Sequence, residues 1–402
     1  MTIDIDSARG RVVGRQEVEF TASDTVRRLV FRLWPNGPRH SGIGASLDVG
    51  EVTADGVEVM RSEPDPTTLV IRPERPLDPG DALTLILPWT LRLPGPVLDR
   101  ISQRGHAVRL GSFFPILSWD ERVGWATDPP TTVLGETSTS PTADFDVAIV
   151  TPPGTEVIAT GREVTAGRWR ADAVRDFAIA AGRFSSATGV AHAPGRVRVM
   201  VGVEEQATSA PSPASFVSQV VAGLEDLSRR FGPYPWPTLN LAVMPDLGRA
   251  GIEYPTMIFQ GSDSLQWATT HEVAHSWFYG LVGNNQAADP WLDESLASWG
   301  QARGDGLLDW FTSVAIPRDA AGRLGAPMTY WADHERSYFQ GLYAQGVRAL
   351  ASLGPADRVD CALRLYAAKN AYRTAAPRDL VDALRRVLPG AARRLARFGA
   401  TE

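Results

Sequence analysis

Cysteine and lysine are almost missing from this chain. A single cysteine, Cys361, in 402 residues excludes an intrachain disulfide, so the fold does not depend on an oxidising compartment. A single lysine, Lys369, stands among 40 basic residues, a compositional bias with no functional content. No apolar run approaches the ~18 residues that a bilayer-spanning helix needs, and no basic-then-apolar leader opens the chain. The formal net charge of −6 leaves no footprint for nucleic acid or an anionic membrane. What is present is an ordinary globular composition, 44% hydrophobic and 21% charged, long enough for two sizeable cores.

Histidine is scarce as well, and where its six copies fall is informative. His271-Glu272-Val273-Ala274-His275 places two histidines four apart around a glutamate. On an α-helix both imidazoles project from one face, close enough to share one ion. Eighteen residues after His275 comes Glu294, inside Trp291-Leu292-Asp293-Glu294-Ser295. Asp289-Pro290 reads as the cap and first-turn proline of the helix carrying it. His271, His275 and Glu294 then supply three nitrogen and oxygen ligands for one Zn2+ per chain, with water as the fourth. Glu272 is placed to take a proton from that water as general base. The bland reading is a chance pentapeptide on a surface helix, and the matching downstream glutamate counts against it. His40, His106, His192 and His334 lack ligand spacing and read as structural or surface residues. Trp277, Trp291 and Trp299 read as core or pocket wall, and Cys361 as a small apolar side chain in a helix.

From residue 1 to 187 the pattern has mostly period two, broken by turn residues, which predicts β structure. Strands are expected over residues 29–33, 69–72, 83–87, 145–150, 157–160 and 177–181. Asp55-Gly56 predicts a hairpin between 52 and 59, and the Pro-, Thr- and Gly-rich run 112–141 reads as loop. From 188 onward strands and helices alternate, and after 306 the chain is mainly helical. Arg196–Val201 predicts a strand, Ser212-Pro213 starts a helix that Pro233 and Pro235 end, and strands follow at 239–244 and 251–259. Residues 264–281 are expected to form the histidine helix and 290–302 the Glu294 helix. Further helices are expected near 340–353, 356–371, 377–388 and 390–398. Asn284 and Asn285 read as a helix-ending turn.

Taken with its neighbours, this pattern resembles the gluzincin aminopeptidase family of aminopeptidase N and leukotriene hydrolase. His-Glu-x-x-His, eighteen residues, then Glu within Trp-Leu-x-Glu is the first mark. Upstream, Ala250-Gly251-Ile252-Glu253-Tyr254-Pro255 is similar to the family's Gly-x-Met-Glu-Asn exopeptidase motif, with Ile252 for Met and Tyr254 for Asn. Downstream, Tyr343-Ala344-Gln345-Gly346 is similar to its Tyr-x-Lys-Gly segment, with Gln345 for Lys. The resemblance implies an α+β protein: an N-terminal antiparallel β saddle domain (1–187), then a thermolysin-like α/β zinc peptidase domain (188–402). It implies a short form, without the large C-terminal helical domain of many relatives.

The resemblance also implies roles. Tyr343 would hydrogen-bond the oxyanion, with Tyr338 in a second Tyr-x-x-Gly frame as the alternative. Glu253 would hold the substrate's α-ammonium, and the backbone at Gly251 would pair with an extended peptide. A second amine anchor from the β domain is expected, with Glu121 and Glu136 as guesses. Gln301 stands where relatives carry a glutamate supporting a histidine ligand, and Asp289, Asp293 and Ser298 are the alternatives.

The expected activity is zinc-dependent aminopeptidase action on short peptides. The alternatives are an endopeptidase or other hydrolase without amine recognition, and a non-catalytic peptide-binding module. Partners are a peptide substrate, no nucleic acid and no membrane-spanning segment. Localisation is cytoplasmic for the chain as it stands, or exported if a leader precedes the strand-like start Met1–Asp6.

Overall fold

The computed structural model describes residues 1–54, 57–61, 65–120, 124–133 and 139–401. Mixed sheets and helices make up the protein, with strands before residue 205 and helices dominating after it. Alternation of apolar and polar residues explains the first part. Arg11–Thr21 buries Val12 on one face while its exposed residues face water, and it pairs along its length with Ala82–Arg92. These two strands lie in a seven-stranded sheet ordered Arg162–Thr165, Arg168–Val174, Ala143–Val150, Thr2–Asp6, Arg11–Thr21, Ala82–Arg92, Ser46–Val49. It is not wholly antiparallel, because Thr2–Asp6 runs parallel to Ala143–Val150. Among the described residues, two four-stranded sheets and a two-stranded one, Trp119-Asp120 with Gly124-Trp125, make up the rest of this region. The four-stranded ones share an apolar core with the large sheet through Leu29, Phe31, Ile101, Leu110 and Ile179.

A five-stranded sheet carries the later region, ordered Phe184–His192, Arg196–Glu204, Thr238–Val243, Met257–Gln260, Gly251–Tyr254. Its three central strands are parallel and its edges antiparallel. The expected domain boundary at 187 falls inside Phe184–His192, a strand of this later sheet, whereas Ile179–Gly182 belongs to the earlier ones. Helix Pro213–Phe231 starts as expected, with the Ser212 side chain accepting from the Ser215 N–H. Its buried stripe of Phe216, Val220, Leu224, Leu227 and Phe231 packs it between the sheet and the histidine helix. Gly223 faces Val273, where even an added Cβ would make only ordinary van der Waals contact.

Four local expectations are corrected. Residues 251–259 form two antiparallel strands, Gly251–Tyr254 and Met257–Gln260, because Thr256 takes a positive φ of 62° and reverses the chain. The flanks of Asp55-Gly56 do not pair with each other. Thr53 bridges Ile86 and Val57–Arg61 pairs with Thr68–Pro73, while Asp55 and Gly56 themselves lie outside the described residues. Gly283-Asn284 pairs with Thr374-Ala375 as a short parallel ladder rather than forming a helix-ending turn. Cys361 is exposed on helix Ala356–Lys369, not packed. Among the described residues no helix is long and apolar enough to cross a membrane.

Candidate metal and active site

The histidine helix is short. It runs Thr269–Ala274 with His275 as its cap, not 264–281. Beyond His275 the backbone loosens: Gly280, Leu281 and Val282 donate to carbonyls five residues back, at His275, Ser276 and Trp277. One helical turn still suffices to put both imidazoles on the same side. The Glu294 helix, Trp291–Gly304, packs against it, with Pro290 as its cap residue. Gly300 permits the close approach, since a Cβ there would press on Ala274.

The three expected ligands converge. His275 Nε2 lies 3.0 Å from His271 Nε2, His271 Nε2 lies 3.2 Å from Glu294 Oε2, and His275 Nε2 lies 3.6 Å from Glu294 Oε2. A tetrahedral ion with arms of ~2.05 Å holds its ligand atoms about 3.3 Å apart, so these spacings fit zinc. All three side chains are buried. His275 Nδ1 lies 2.6 Å from Asp293 Oδ1, which fixes the Nδ1–H tautomer and turns the Nε2 lone pair inward. Asp293 is held in turn by Gln286 Nε2 at 2.5 Å.

Electrostatics follow from burial and crowding. Burial disfavours charge on His271 and lowers its pKa. Burial opposes the charged form of His275 too, but the carboxylates of Glu253, Asp293 and Glu294 outweigh it and raise its pKa well above the usual value. For Glu294, burial is outweighed by hydrogen bonds from both histidines, and its pKa falls far below the carboxylate range. Arg175, wholly buried, donates to Ser140 O at 2.7 Å and Gly280 O at 3.2 Å and lies within the field of Asp293. Burial pushes its pKa down to about 10, so it stays charged at neutral pH.

Glu272 is buried against Gly251. A Cβ on Gly251 would sit about 1 Å closer to Glu272 Oε1, Cδ and Cγ than van der Waals contact allows. Glycine is therefore required here by the glutamate side chain, a reason the sequence did not reveal. Glu253, on the same edge strand, is buried with a carboxylate oxygen within 4.8 Å of a His275 ring nitrogen and an Asp293 oxygen.

Tyr343 stacks on His271, with ring centroids 5.5 Å apart and planes 16° apart, and its hydroxyl lies within the influence of the Glu294 carboxylate. Burial and the Glu294 charge raise its pKa well above 10, which keeps the hydroxyl a donor. Tyr338 sits one layer further out, edge-on to Tyr343 and Trp331. The segment carrying Tyr343, Gln340–Ala344, is a π-turn. Gln345 donates its backbone N–H to Gln340 O, five residues back. Its side chain donates to Gly341 O at 3.0 Å, the carbonyl that an α-helix would have given to that N–H. Ser295 Oγ donates to Leu342 O at 2.8 Å, and Gly346 leaves room for Ser295, so this turn is fastened to the Glu294 helix.

No family model matches the chain. Human aminopeptidase B is 27% identical over 180 residues, 38% of this chain and 28% of that protein. Rice aminopeptidase M1-B is 29% identical over 181 residues, 37% of this chain and 20% of that protein. Leukotriene A-4 hydrolase of Xenopus laevis is 34% identical over 91 residues, 21% of this chain and 14% of that protein. The matched stretch thus spans less than a third of each of these relatives. The crystal structure of the M1 zinc metallopeptidase of Deinococcus radiodurans shares the fold, at a TM-score of 0.70 and 17% identity over 100% of this chain and 92% of that one. These relatives and the shared fold support the gluzincin aminopeptidase family as what this chain is similar to.

Its departures from the gluzincin pattern have local reasons. Tyr254, where relatives carry Asn, is buried against Gly111, which must be glycine to admit the ring. Gln345 replaces Lys and is buried, bonding Ala320 O, Gly341 O and the Gly322 N–H. Gln301 does not support a ligand histidine; its Nε2 donates to Trp267 O, and Asp293 takes that place instead. Glu121 and Glu136 lie outside the described residues. His40 pairs with Asp99 and His106 with Glu204 and Glu205, not with the candidate ligands. Trp277, Trp291 and Trp299 are core residues.

Proposed function

We propose that the chain is a zinc-dependent aminopeptidase with a thermolysin-like catalytic domain following a β domain, the two dividing near residue 183. The observation that carries the amine reading is one of charge. Glu253, Glu272, Asp293 and Glu294 bury four carboxylates around the two ligand histidines. A divalent ion and Arg175 answer three of those negative charges, and the remaining one matches the α-ammonium of a peptide. We assign that role to Glu253, on a strand that ends the order of its sheet, an edge where an extended chain could add. A peptide substrate is supported by the Deinococcus enzyme, which has been solved as a glutamate-to-alanine variant with a Tyr-Ser-Ala substrate.

Zinc, when bound, supplies Lewis acidity and lowers the pKa of water toward ~7. Glu272 takes the proton of the attacking water and hands it to the departing amine. The Tyr343 hydroxyl donates to the developing oxyanion. Asp293 keeps His275 in one tautomer and orientation. The Glu253 carboxylate holds the ammonium and sets the register, so that one residue is removed from the amino end.

Two comparisons test this. Glu272→Gln should keep stoichiometric zinc and lose turnover; retained peptidase activity would remove the general-base role. One peptide offered with a free and with an acetylated amino terminus should be cut only in the free form. Equal rates would replace the aminopeptidase by an endopeptidase.

A further inference from the structure

Four aromatic rings run outward from the candidate site in an unbroken series. Tyr343 stacks on His271, Phe339 lies 5.0 Å from Tyr343, Trp310 lies 6.5 Å from Phe339, and Trp267 lies 5.7 Å from Trp310. The inner ring is half-buried, but the outer three are open to solvent: Phe339 at 41%, Trp310 at 39% and Trp267 at 46%. They come from three separate segments: the residues before the histidine helix, helix Leu308–Ser313, and the turn leading to Tyr343. Large rings are costly to leave in water, and packing does not require it here, since Trp277, Trp291, Trp299 and Trp331 are all buried.

The direction of the series is the second observation. Glu253 lies at the far end of the histidine helix, by His275 and Asp293. The aromatic series starts at His271 and leads to Trp267, before the first helical turn. A peptide whose ammonium sits at Glu253 and whose scissile carbonyl sits at Tyr343 would extend its leaving segment over Phe339 and Trp310.

We propose that Phe339, Trp310 and Trp267 form a binding subsite for apolar and aromatic side chains on the carboxyl side of the scissile bond. This rests on the aminopeptidase reading for its polarity. The substrate class it selects is peptides with bulky apolar residues after the cleaved one, rather than free amino acid amides. Ring-on-ring contact and desolvation supply the preference.

The test uses the zinc-loaded Glu272→Gln protein and calorimetric titration with two peptides, Ala-Phe-Phe and Ala-Gly-Gly. The first should bind at least about tenfold more tightly. Trp310→Ser should bring that ratio to within about threefold, and Trp267→Ser should lower it partway. In the active protein, the ratio of kcat/KM for Ala-Phe-Phe over alanine amide should fall with the same substitutions. Equal affinities for the two peptides, or a ratio unmoved by Trp310→Ser, would overturn the subsite. So would a Trp310→Ser protein whose only change is in self-association by sedimentation, which would assign the rings to contact between copies. The expected binding ratio together with no hydrolysis of either substrate by the zinc-loaded protein with Glu272 intact would sink the catalytic reading alone.

Discussion

Replacing Gly251 by alanine should disable the protein without disturbing its metal. The added Cβ would intrude by about 1 Å on three atoms of Glu272, including Cγ, so rotating the carboxylate tip alone cannot relieve the clash. The backbone of Gly251 has an ordinary negative φ, and alanine adopts it without strain. The relief therefore comes from the Glu272 side chain, which moves off its position beside the ligands. A displacement of 1 Å in a catalytic group costs about 100-fold in rate, or about 2.7 kcal/mol of barrier. Steady-state kinetics on an aminoacyl-anilide should show kcat falling by about that factor with KM little changed. Metal analysis on the same sample should find zinc unaltered, because the atoms nearest the added Cβ all belong to Glu272 and none to a ligand. Activity within about threefold of the parent would refute the packing argument. A rise confined to KM would return Gly251 to backbone pairing with the substrate.

Other expectations follow from the same contacts. Tyr343→Phe should lower kcat by two to three orders of magnitude, the ~2.7–4 kcal/mol of a lost oxyanion donor, with zinc still bound; Tyr338→Phe should stay near the parent. Asp293→Asn should weaken zinc binding by about 10–100-fold in a chelator competition, since His275 loses its charged support. Gln345→Leu strands the Gly341 and Ala320 carbonyls and the Gly322 N–H, and should cost about 3 kcal/mol in urea unfolding while lowering kcat more than KM. Asp99 is buried; burial opposes its charge, but His40, Arg39 and Arg100 outweigh that and depress its pKa well below the usual range. A depressed carboxylate stabilises the fold fully above its unfolded pKa of ~3.9 and loses that contribution as pH falls toward the folded value. Asp99→Asn should therefore cost about 3–5 kcal/mol at neutral pH, a gap that narrows below about pH 4 in urea melts.

Much of the site was legible because its residues obey short periodicities. Two histidines four apart need only one helical turn, so His271 and His275 converge although their helix is far shorter than expected. The strands at 69–72, 83–87 and 145–150 were readable from alternation alone. The rest depends on contacts between distant segments. A turn signal such as Asp55-Gly56 says that the chain bends, but not which strands its flanks join. The reversal at Thr256 is hidden because threonine seldom takes a positive φ. Asp293 could not be separated from Asp289 and Ser298, since the choice depends on where the loosened turn after His275 leaves the imidazole Nδ1. The π-turn under Tyr343 has no sequence signature until Gln345 is seen bonding Gly341 O.

The central claim is that His271, His275 and Glu294 hold one zinc ion between them. Anomalous diffraction collected at the zinc absorption edge from crystals of the zinc-loaded protein tests it directly. One peak should appear about 2.0–2.2 Å from His271 Nε2, His275 Nε2 and a Glu294 carboxylate oxygen. A peak elsewhere, or no peak at those three side chains under zinc saturation, would contradict the account.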